Sequence, residues 1–283
     1  MSESIGEALR RAAQALDHAG VAEARREASS LLSHLVGEDR TFLISHAEDE
    51  LGDSELRKFA AAIARRAAGE PAQYITGVQD FYGRSFRVTP DVLIPRPETE
   101  LLVEAALQVM NVNARVCDVG TGSGCIAVTF LCERDDARAV GIDVSEAALE
   151  VARQNAREHS VENRLELLVS DCFSALNANT QQFDLVVSNS PYVSATALPG
   201  LQREVRDYEP LVALSPGADG LSVIRRLLAE APAFLKSKGY LLLEIGFDQG
   251  EAVQKLVDQN IWTLLDVVPD LQSIPRIVKL QKN

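Results

Sequence analysis

The sequence predicts an α/β fold in two parts: a doubly wound, mostly parallel sheet with an antiparallel edge, preceded by a small helical bundle. Three observations support this prediction. The first seventy residues repeat apolar positions at helical spacing, the chain beyond Asn113 alternates apolar runs with helical segments, and the last two apolar runs have no helix between them. A chain of 283 residues with 46% hydrophobic content can form two packed units.

The helical bundle is predicted from apolar helix faces that end at glycines. Two antiparallel helices are each followed by a glycine, and a third is capped by Asp53 or Ser54 and ends before Gly69. The short apolar run at 42–44 lies between the second and third helices. The bundle carries no catalytic constellation, so two interpretations stay open: a stabilising cap, or a docking surface for a macromolecular partner.

Residues 74–95 are predicted to connect the two parts through a β-hairpin, because aromatic and β-branched residues surround Gly77 and Gly83. Pro95 and Pro97 then break the chain before an apolar helix, and Pro97 is acceptable in a first helical turn. We therefore expect a helical domain at 1–73, a connector at 74–95 and a second domain at 96–283.

The second domain is predicted to alternate strands and helices, the pattern of a doubly wound parallel sheet. The final two strands are joined only by a short segment bounded by prolines, so they are expected to pair as an antiparallel edge hairpin. The predicted strands are 115–119, 139–142, 165–169, 185–188, 240–245, 263–268 and 276–280, with helices from Gly124, Ser145, Leu221 and Gln249.

A glycine-rich turn, Asp118-Val119-Gly120-Thr121-Gly122-Ser123-Gly124, follows the first of these strands. Its glycines let the backbone turn tightly and approach a ligand, and the helix start presents free N–H groups. The dinucleotide fingerprint requires a last glycine where Cys125 stands, so NAD fits poorly. Asp143, about 20 residues further on, is expected to accept hydrogen bonds from ribose hydroxyls. Asp118 is expected to stabilise the turn or to bind the amine of a methionine moiety.

Asp171, Cys172 and Phe173 follow the third predicted strand. At the open end of such a sheet these residues are placed to flank an adenine ring. For Phe173 a position in the hydrophobic core is an equally good interpretation.

The motif Asn189-Ser190-Pro191-Tyr192 ends the fourth predicted strand. An amide or exocyclic amine nitrogen is a poor nucleophile, so an enzyme that methylates it must above all orient it. The Asn189 side-chain oxygen and the Ser190 backbone carbonyl can each accept one N–H of an –NH2 group, and Tyr192 can cover its planar face. With the glycine turn, this motif predicts an N-methyltransferase dependent on S-adenosylmethionine, with S-adenosylhomocysteine as product.

Composition excludes several other classes. The balance of 28 Lys+Arg against 41 Asp+Glu gives a formal charge of −13, which disfavours binding driven by phosphate contacts. The chain has no apolar run long enough to span a membrane, and Met1-Ser2-Glu3-Ser4 lacks the basic start of a signal peptide, so a cytoplasmic protein is expected. The four cysteines form no C-x-x-C pair and the histidines are scattered, so we expect no metal site and mostly buried, reduced thiols.

Five segments resemble, in the same order, those of the release-factor glutamine methyltransferases, the HemK/PrmC family: 71–77, 81–83, 92–100, 118–124 and 189–192. The resemblance covers nearly the whole chain and implies a class I, Rossmann-like methyltransferase domain behind a helical domain and a hairpin. It also implies methylation, in the cytoplasm, of the N5 amide of the glutamine in the Gly-Gly-Gln loop of peptide-chain release factors, by a monomer.

The resemblance also implies which residues bind S-adenosylmethionine. They are the turn residues Gly120 to Gly124, with Asp143 and Cys172 after later strands. The Asn189, Ser190, Pro191 and Tyr192 motif holds the glutamine. The family motif has proline where this chain has Ser190. Proline fixes φ and restricts its predecessor, so Ser190 leaves Asn189 looser by about 1 kcal/mol, and we expect slower turnover rather than a different reaction.

Two alternatives remain open from the residues. A nucleic-acid N-methyltransferase acting on adenine N6 or guanine N2 would face the same orientation problem, but would need a basic recognition surface. A binding protein that lost turnover through Ser190 is the second alternative. Two further groups have open roles: Arg96, Glu98 and Glu100 either tie the connector to the second domain or form a solvated helix start, and 207–210 with 213–214 are expected in a substrate-side wall.

Overall fold

The computed structural model describes residues 3–283. Met1 and Ser2, which belong to the N-terminal segment discussed for a signal peptide, lie outside the described residues. The chain forms two compact units. The first runs to Val78 and also includes Gln202–Tyr208, and the second comprises Gln79–Leu201 and Glu209–Asn283. No helix in the described range is both long and apolar enough to cross a membrane.

The helices and strands are numbered in chain order. The helices are α1 Ile5–His18, α2 Ala24–Val36, α3 Arg40–Ser45, α4 Asp53–Ala67, α5 Ala72–Thr76, α6 Glu100–Leu107, α7 Cys125–Glu133, α8 Glu146–Glu158, α9 Arg203–Tyr208, α10 Leu211–Leu214, α11 Ser222–Phe234 and α12 Gly250–Leu256. The strands are β1 Glu3–Ser4, β2 Glu50–Leu51, β3 Val78–Phe81, β4 Arg84–Arg87, β5 Arg115–Val119, β6 Arg138–Asp143, β7 Leu165–Val169, β8 Phe183–Ser188, β9 Leu235–Glu244, β10 Trp262–Pro269 and β11 Pro275–Lys282.

The helical unit forms because the apolar faces of α1, α2 and α4 pack together around one core. One detail adds to the sequence prediction and another corrects it. The run at 42–44, for which no element was predicted, lies inside α3, which Asp39 caps by accepting from Phe42 N at 2.7 Å. Helix α4 is capped by Gly52 rather than by Asp53 or Ser54, because the Glu55 side chain accepts from Gly52 N at 2.9 Å.

Helix α9 belongs to this helical unit although it lies far along the chain. The buried Arg66 of α4 donates to Glu27 at 2.9 Å and to Glu204 of α9 at 2.6 Å. The Tyr208 hydroxyl donates to Ala68 O at 3.2 Å. The unit is therefore built from two separate stretches of sequence.

The hairpin of β3 and β4 begins at Val78, after α5, rather than at residue 74. Asn155 of α8 holds its second strand: its Oδ1 accepts from Arg87 N at 2.7 Å and its Nδ2 donates to Arg87 O at 3.0 Å. The same Nδ2 donates to Ser123 O at 2.8 Å, so one buried amide ties the hairpin to the glycine turn.

The second unit has a seven-stranded sheet of order β10-β11-β9-β8-β5-β6-β7. Strands β5 to β9 run parallel, and β11 pairs antiparallel with both β9 and β10. The predicted doubly wound sheet with an antiparallel edge hairpin is confirmed. Because consecutive strand residues face opposite sides, Val116 lies in the apolar cluster with α6 and α7, and Cys117 in the cluster with α11.

Candidate active site

A cavity of about 330 Å³ opens at the carboxyl ends of the parallel strands. Strand β5 lies between β6 and β8, so the chain reverses its winding direction there, and ligands of doubly wound sheets bind at this point. Residues that follow β5, β6, β7 and β8 all line the cavity. The sheet thus gathers residues that are up to seventy positions apart in sequence.

The glycine turn forms the floor of the cavity. Gly122 has φ of 53° and Gly124 has φ of 78°, values that disfavour residues with a Cβ. A Cβ added to Gly122 would meet open space, whereas one on Gly124 would lie 3.0 Å from the Ala152 Cβ of α8. Gly122 therefore leaves room for a ligand, and Gly124 allows α8 to pack closely.

Asp118 lies beneath the turn and does not line the cavity. Its Oδ2 accepts a hydrogen bond from the Thr121 hydroxyl at 2.7 Å, which stabilises the turn. Complete burial raises the pKa of Asp118 to about 7; the Thr121 bond lowers it, and the charge of Asp143 raises it further.

Asp143 ends β6 and lines the cavity. Its two oxygens accept from Gly122 N at 2.9 Å and from Ser145 N at 3.0 Å, which fixes the carboxylate between the turn and the start of α8. Burial raises its pKa. Each oxygen keeps a second lone pair, the arrangement needed to accept hydrogen bonds from a pair of hydroxyls.

The segment 171–173, which follows β7, does not face the cavity as a whole. Cys172, with φ of 48°, is buried and lines the cavity, and burial raises the pKa of its thiol to about 11. Asp171 also lines it, but its carboxylate pairs with Arg226 at 2.7 Å. Phe173 is buried in the core and stacks on Phe234 at 4.7 Å, so the core interpretation of Phe173 describes its position.

The Asn189 motif forms another part of the cavity wall. Asn189, Ser190 and Pro191 line the cavity, and Asn189 Nδ2 donates to Thr99 Oγ1 at 2.9 Å. Ser190 is buried, and its Oγ has no hydrogen-bond partner among residues 3–283. Proline at this position would carry no such unpaired hydroxyl.

Tyr192 is outside the cavity lining and lies behind the motif instead. Its hydroxyl donates to Glu244 Oε1 at 3.4 Å, and its backbone oxygen accepts from Gln249 Nε2 at 2.9 Å. Burial, with the nearby Glu244 charge, raises the pKa of Tyr192. The tyrosine therefore stays protonated and supports the motif from beneath.

Glu244, at the end of β9, was not anticipated from the sequence, nor was Thr99. Burial raises the pKa of Glu244 to about 7, although Thr99, Arg276 and Tyr192 lower it. One signal for Glu244 was present in the sequence: it is an acidic residue directly after the apolar run 241–243. A buried carboxylate is costly unless it has a role or a partner.

The segments before α6 and after α9 also line the cavity. Glu209 joins them, since it accepts from Arg96 at 2.5 Å and from Ile94 N at 3.2 Å. Glu100 accepts from Tyr82 N at 2.8 Å, so Arg96 and Glu100 tie the part of the connector after Val78 to the rest of the second unit. No hydrogen bond involving the Glu98 side chain is found in the described chain.

The expected substrate-side wall is only partly present. Ala213 lines the cavity and Leu214 O accepts from Val193 N at 3.0 Å. Asp207 and Tyr208 belong to the helical unit and are not in the cavity lining. Their place in a substrate-side wall stays a prediction.

Within residues 3–283 no group of three His, Cys, Asp or Glu side chains is arranged to hold a metal ion. The four cysteines are free; three are buried and Cys132 is partly exposed.

Solved structures with a similar fold include a methyltransferase from Pyrococcus furiosus, with a TM-score of 0.54, 15% identity, and coverage of 79% of this chain and 98% of that one. A ribosomal protein L11 methylase from Lactobacillus delbrueckii subsp. bulgaricus gives a TM-score of 0.51 at 16% identity, over 72% and 90% of the two chains. These likenesses show the fold alone. Together with the strand order, they define the class I, Rossmann-like fold found in methyltransferases.

Sequence comparison gives the particular family. A PrmC N-terminal domain model matches residues 7–77, and a Methyltransferase domain model matches residues 110–261. Release factor glutamine methyltransferases from Cereibacter sphaeroides and Koribacter versatilis are 47% and 43% identical, over 96% and 97% of this chain and the same shares of theirs. This chain belongs to the release factor glutamine methyltransferase family, and the resemblance drawn from the motifs is confirmed.

The protein is therefore an enzyme that uses S-adenosylmethionine, as the sequence predicts. The cavity fits this cofactor in its chemistry. Its floor is open over Gly122, and one end holds a fixed carboxylate at Asp143. The thiol of Cys172 is neutral and buried, which suits the flat face of a heterocycle, and Asp171 follows the same strand.

Proposed function

We propose that this enzyme transfers a methyl group from S-adenosylmethionine to the side-chain amide nitrogen, N5, of the glutamine in the Gly-Gly-Gln loop of peptide-chain release factors. The observation that carries the proposal is the Asn189 carboxamide. It lies at the cavity wall with Nδ2 held by Thr99, which leaves Oδ1 to accept from another amide. Curated relatives of this name are 40–47% identical over 94–97% of their length.

The cofactor residues of the proposal are those that line or support the floor of the cavity. Gly120, Thr121, Gly122, Ser123 and Gly124 form the turn, and Asp143 binds the ribose hydroxyls. Asp171 and Cys172 flank the adenine, and Asp118 acts from below by holding Thr121. S-adenosylmethionine supplies the methyl group and leaves as S-adenosylhomocysteine.

The motif residues orient the acceptor. Asn189 Oδ1 and the Ser190 carbonyl each accept one N–H of the glutamine amide, which directs the nitrogen lone pair toward the methyl group. Both oxygens also stabilise the positive charge that develops on nitrogen during transfer. Pro191 stiffens the turn, and Tyr192 supports it through Glu244 and Gln249. The proton leaves the nitrogen to water after the N–C bond has formed.

We also propose that the helical unit docks the release factor, that the enzyme acts as a monomer, and that it works in the cytoplasm, where termination occurs. The match to the PrmC N-terminal domain over 7–77 supports the docking role. Substitutions of exposed residues in α2, such as Arg25→Glu, in the full chain should raise KM for the release factor without changing cofactor affinity. A matched substitution on the second unit, Lys255→Glu, should leave both unchanged.

The test of the reaction is transfer of labelled methyl to a purified release factor, beside a copy with the Gly-Gly-Gln glutamine changed to alanine. Duplex DNA and ribosomal RNA serve as parallel acceptors. Label on the intact factor alone supports the proposal. Label on nucleic acid would instead support the exocyclic-amine alternative, which no particular feature of the site favours.

A further inference from the structure

The carboxamide of Asn189 can point either way, because its oxygen and nitrogen are nearly equal in size and shape. Only hydrogen-bond partners decide which atom faces the cavity. Nδ2 lies 2.9 Å from Thr99 Oγ1, and Thr99 is itself buried at the cavity wall, at the end of the short helical turn Pro97–Thr99. The Thr99 hydroxyl therefore determines the direction of the amide.

A hydroxyl has one proton, so Thr99 acts as an acceptor for Asn189 only while its own proton points elsewhere. The buried carboxyl of Glu244 offers that second direction, since the Thr99 side chain lies close enough to lower the pKa of Glu244. Were the Thr99 proton to turn toward Asn189, the amide would reverse and present its NH2 group to the NH2 group of the substrate.

Glu244 is held for this interaction at the end of β9. It is 1% exposed, its Oε1 accepts from the Tyr192 hydroxyl at 3.4 Å, and its Oε2 has no hydrogen-bond partner in the part of the chain that the structure describes. The charged and titratable groups facing it are Arg276 of β11, Glu98 before α6, Tyr192 and the thiol of Cys125. Arg276 is already paired with Asp270 at 2.9 Å, so the carboxyl lacks a dedicated cation.

We infer that Thr99 and Glu244 are positioning residues for methyl transfer: the Thr99 hydroxyl keeps its proton and turns it toward Glu244, its oxygen accepts from Asn189 Nδ2, and Asn189 Oδ1 is left to accept from the substrate amide. Neither residue is required to touch the substrate or the methyl group. This inference rests on the proposed function, in which Asn189 holds the glutamine.

Thr99→Val and Thr99→Ser form the decisive pair, because valine keeps the shape and removes the hydroxyl, whereas serine keeps the hydroxyl. We expect Thr99→Val to lower kcat for release-factor methylation by roughly ten- to a hundredfold. KM for the release factor and the Kd for S-adenosylmethionine should stay within about twofold of wild type, and Thr99→Ser should retain most of the activity. Equal kcat values for the two variants would overturn the inference.

A double-mutant cycle covers the case in which Thr99→Val affects folding. In an Asn189→Ala background, Thr99→Val should cause no further loss of kcat, because the amide that it directs is gone. Additive losses would assign Thr99 a separate, structural role and contradict the inference. Thermal unfolding and cofactor binding of each variant report whether the fold is intact.

Wild-type activity separates this inference from the proposal on which it rests. If wild-type enzyme fails to label the release factor, the proposed function is wrong. If wild type labels it and the two Thr99 variants behave alike, only the positioning role is wrong.

Discussion

Arg96 and Glu209 lie 113 residues apart in sequence and form a hydrogen-bonded ion pair of 2.5 Å at the mouth of the cofactor cavity. Glu209 is almost fully buried, and it also accepts from Ile94 N. The segments that it joins, 91–96 and 212–216, both contribute to the cavity lining. One carboxylate thus holds two walls of the site together.

Replacing that carboxylate should weaken both the fold and the site. We expect Glu209→Ala to lower the free energy of unfolding by about 1–3 kcal/mol, since Arg96 and the Ile94 amide lose their acceptor. It should also weaken binding of S-adenosylmethionine, which isothermal calorimetry measures. Glu251→Ala, at an exposed carboxylate paired with Lys255 at 3.6 Å, is the matched control and should change neither quantity. Equal effects of the two variants would contradict the role of Glu209 in holding the two walls together.

Ser190→Pro should raise turnover. The substitution restricts the backbone next to Asn189 and removes a buried hydroxyl that lacks a partner among the described residues, so stability should rise by about 1 kcal/mol. Steady-state methylation of the release factor measures the rate. Ser190→Ala separates the two causes, because it removes the hydroxyl without restricting φ. A methylation rate unchanged by proline would refute the predicted loss of pre-organisation.

Glu244 should make stability and turnover depend on pH in opposite directions. Burial raises the pKa of Glu244 from 4.5 to about 7, so the folded state binds the proton of this carboxyl group more tightly than the unfolded state does. The stabilisation is complete below pH 4.5 and is lost as pH rises through 7. Asp118, with its own raised pKa, adds to the same trend. Turnover should instead rise over this window, because ionised Glu244 is the stronger hydrogen-bond acceptor for the Thr99 hydroxyl.

Glu244→Gln tests this pH dependence. Denaturant unfolding between pH 4 and 8 should show a weaker decline in the free energy of unfolding than for wild type. The acid limb of the kcat profile near pH 7 should disappear. A kcat profile identical to that of wild type would show that Glu244 does not control the limb.

Alanine at Gly122 and at Gly124 should have unequal effects. Both positions have left-handed backbone, which costs a residue with a Cβ about 1–2 kcal/mol. At Gly124 the new Cβ would also press on Ala152, so Gly124→Ala should destabilise by a further 1–3 kcal/mol or so. Thermal unfolding measures the difference. If Gly122→Ala proved the more destabilising, the close approach of α8 would not be the reason for the third glycine.

The sheet was predictable from sequence because its strands are short apolar runs separated by turn residues. The glycine turn was predictable because glycines are typical of positions with left-handed backbone. The run at 42–44 was too short to distinguish a strand from a helix. Thr99 and Glu244 could not be paired, since 145 positions separate them and only the folded sheet brings them together. The place of α9 depended likewise on Arg66, whose partners Glu27 and Glu204 are 177 positions apart in sequence.

The two-part origin of the helical unit affects its synthesis. When Val78 leaves the ribosome, the stretch that supplies Glu204 and Tyr208 is still roughly 130 residues from being made, an interval of about 6 to 26 s at ordinary elongation rates. During that time Arg66 has Glu27 but lacks Glu204. The last helix of the bundle is therefore made only after four of the seven strands of the methyltransferase sheet have been translated.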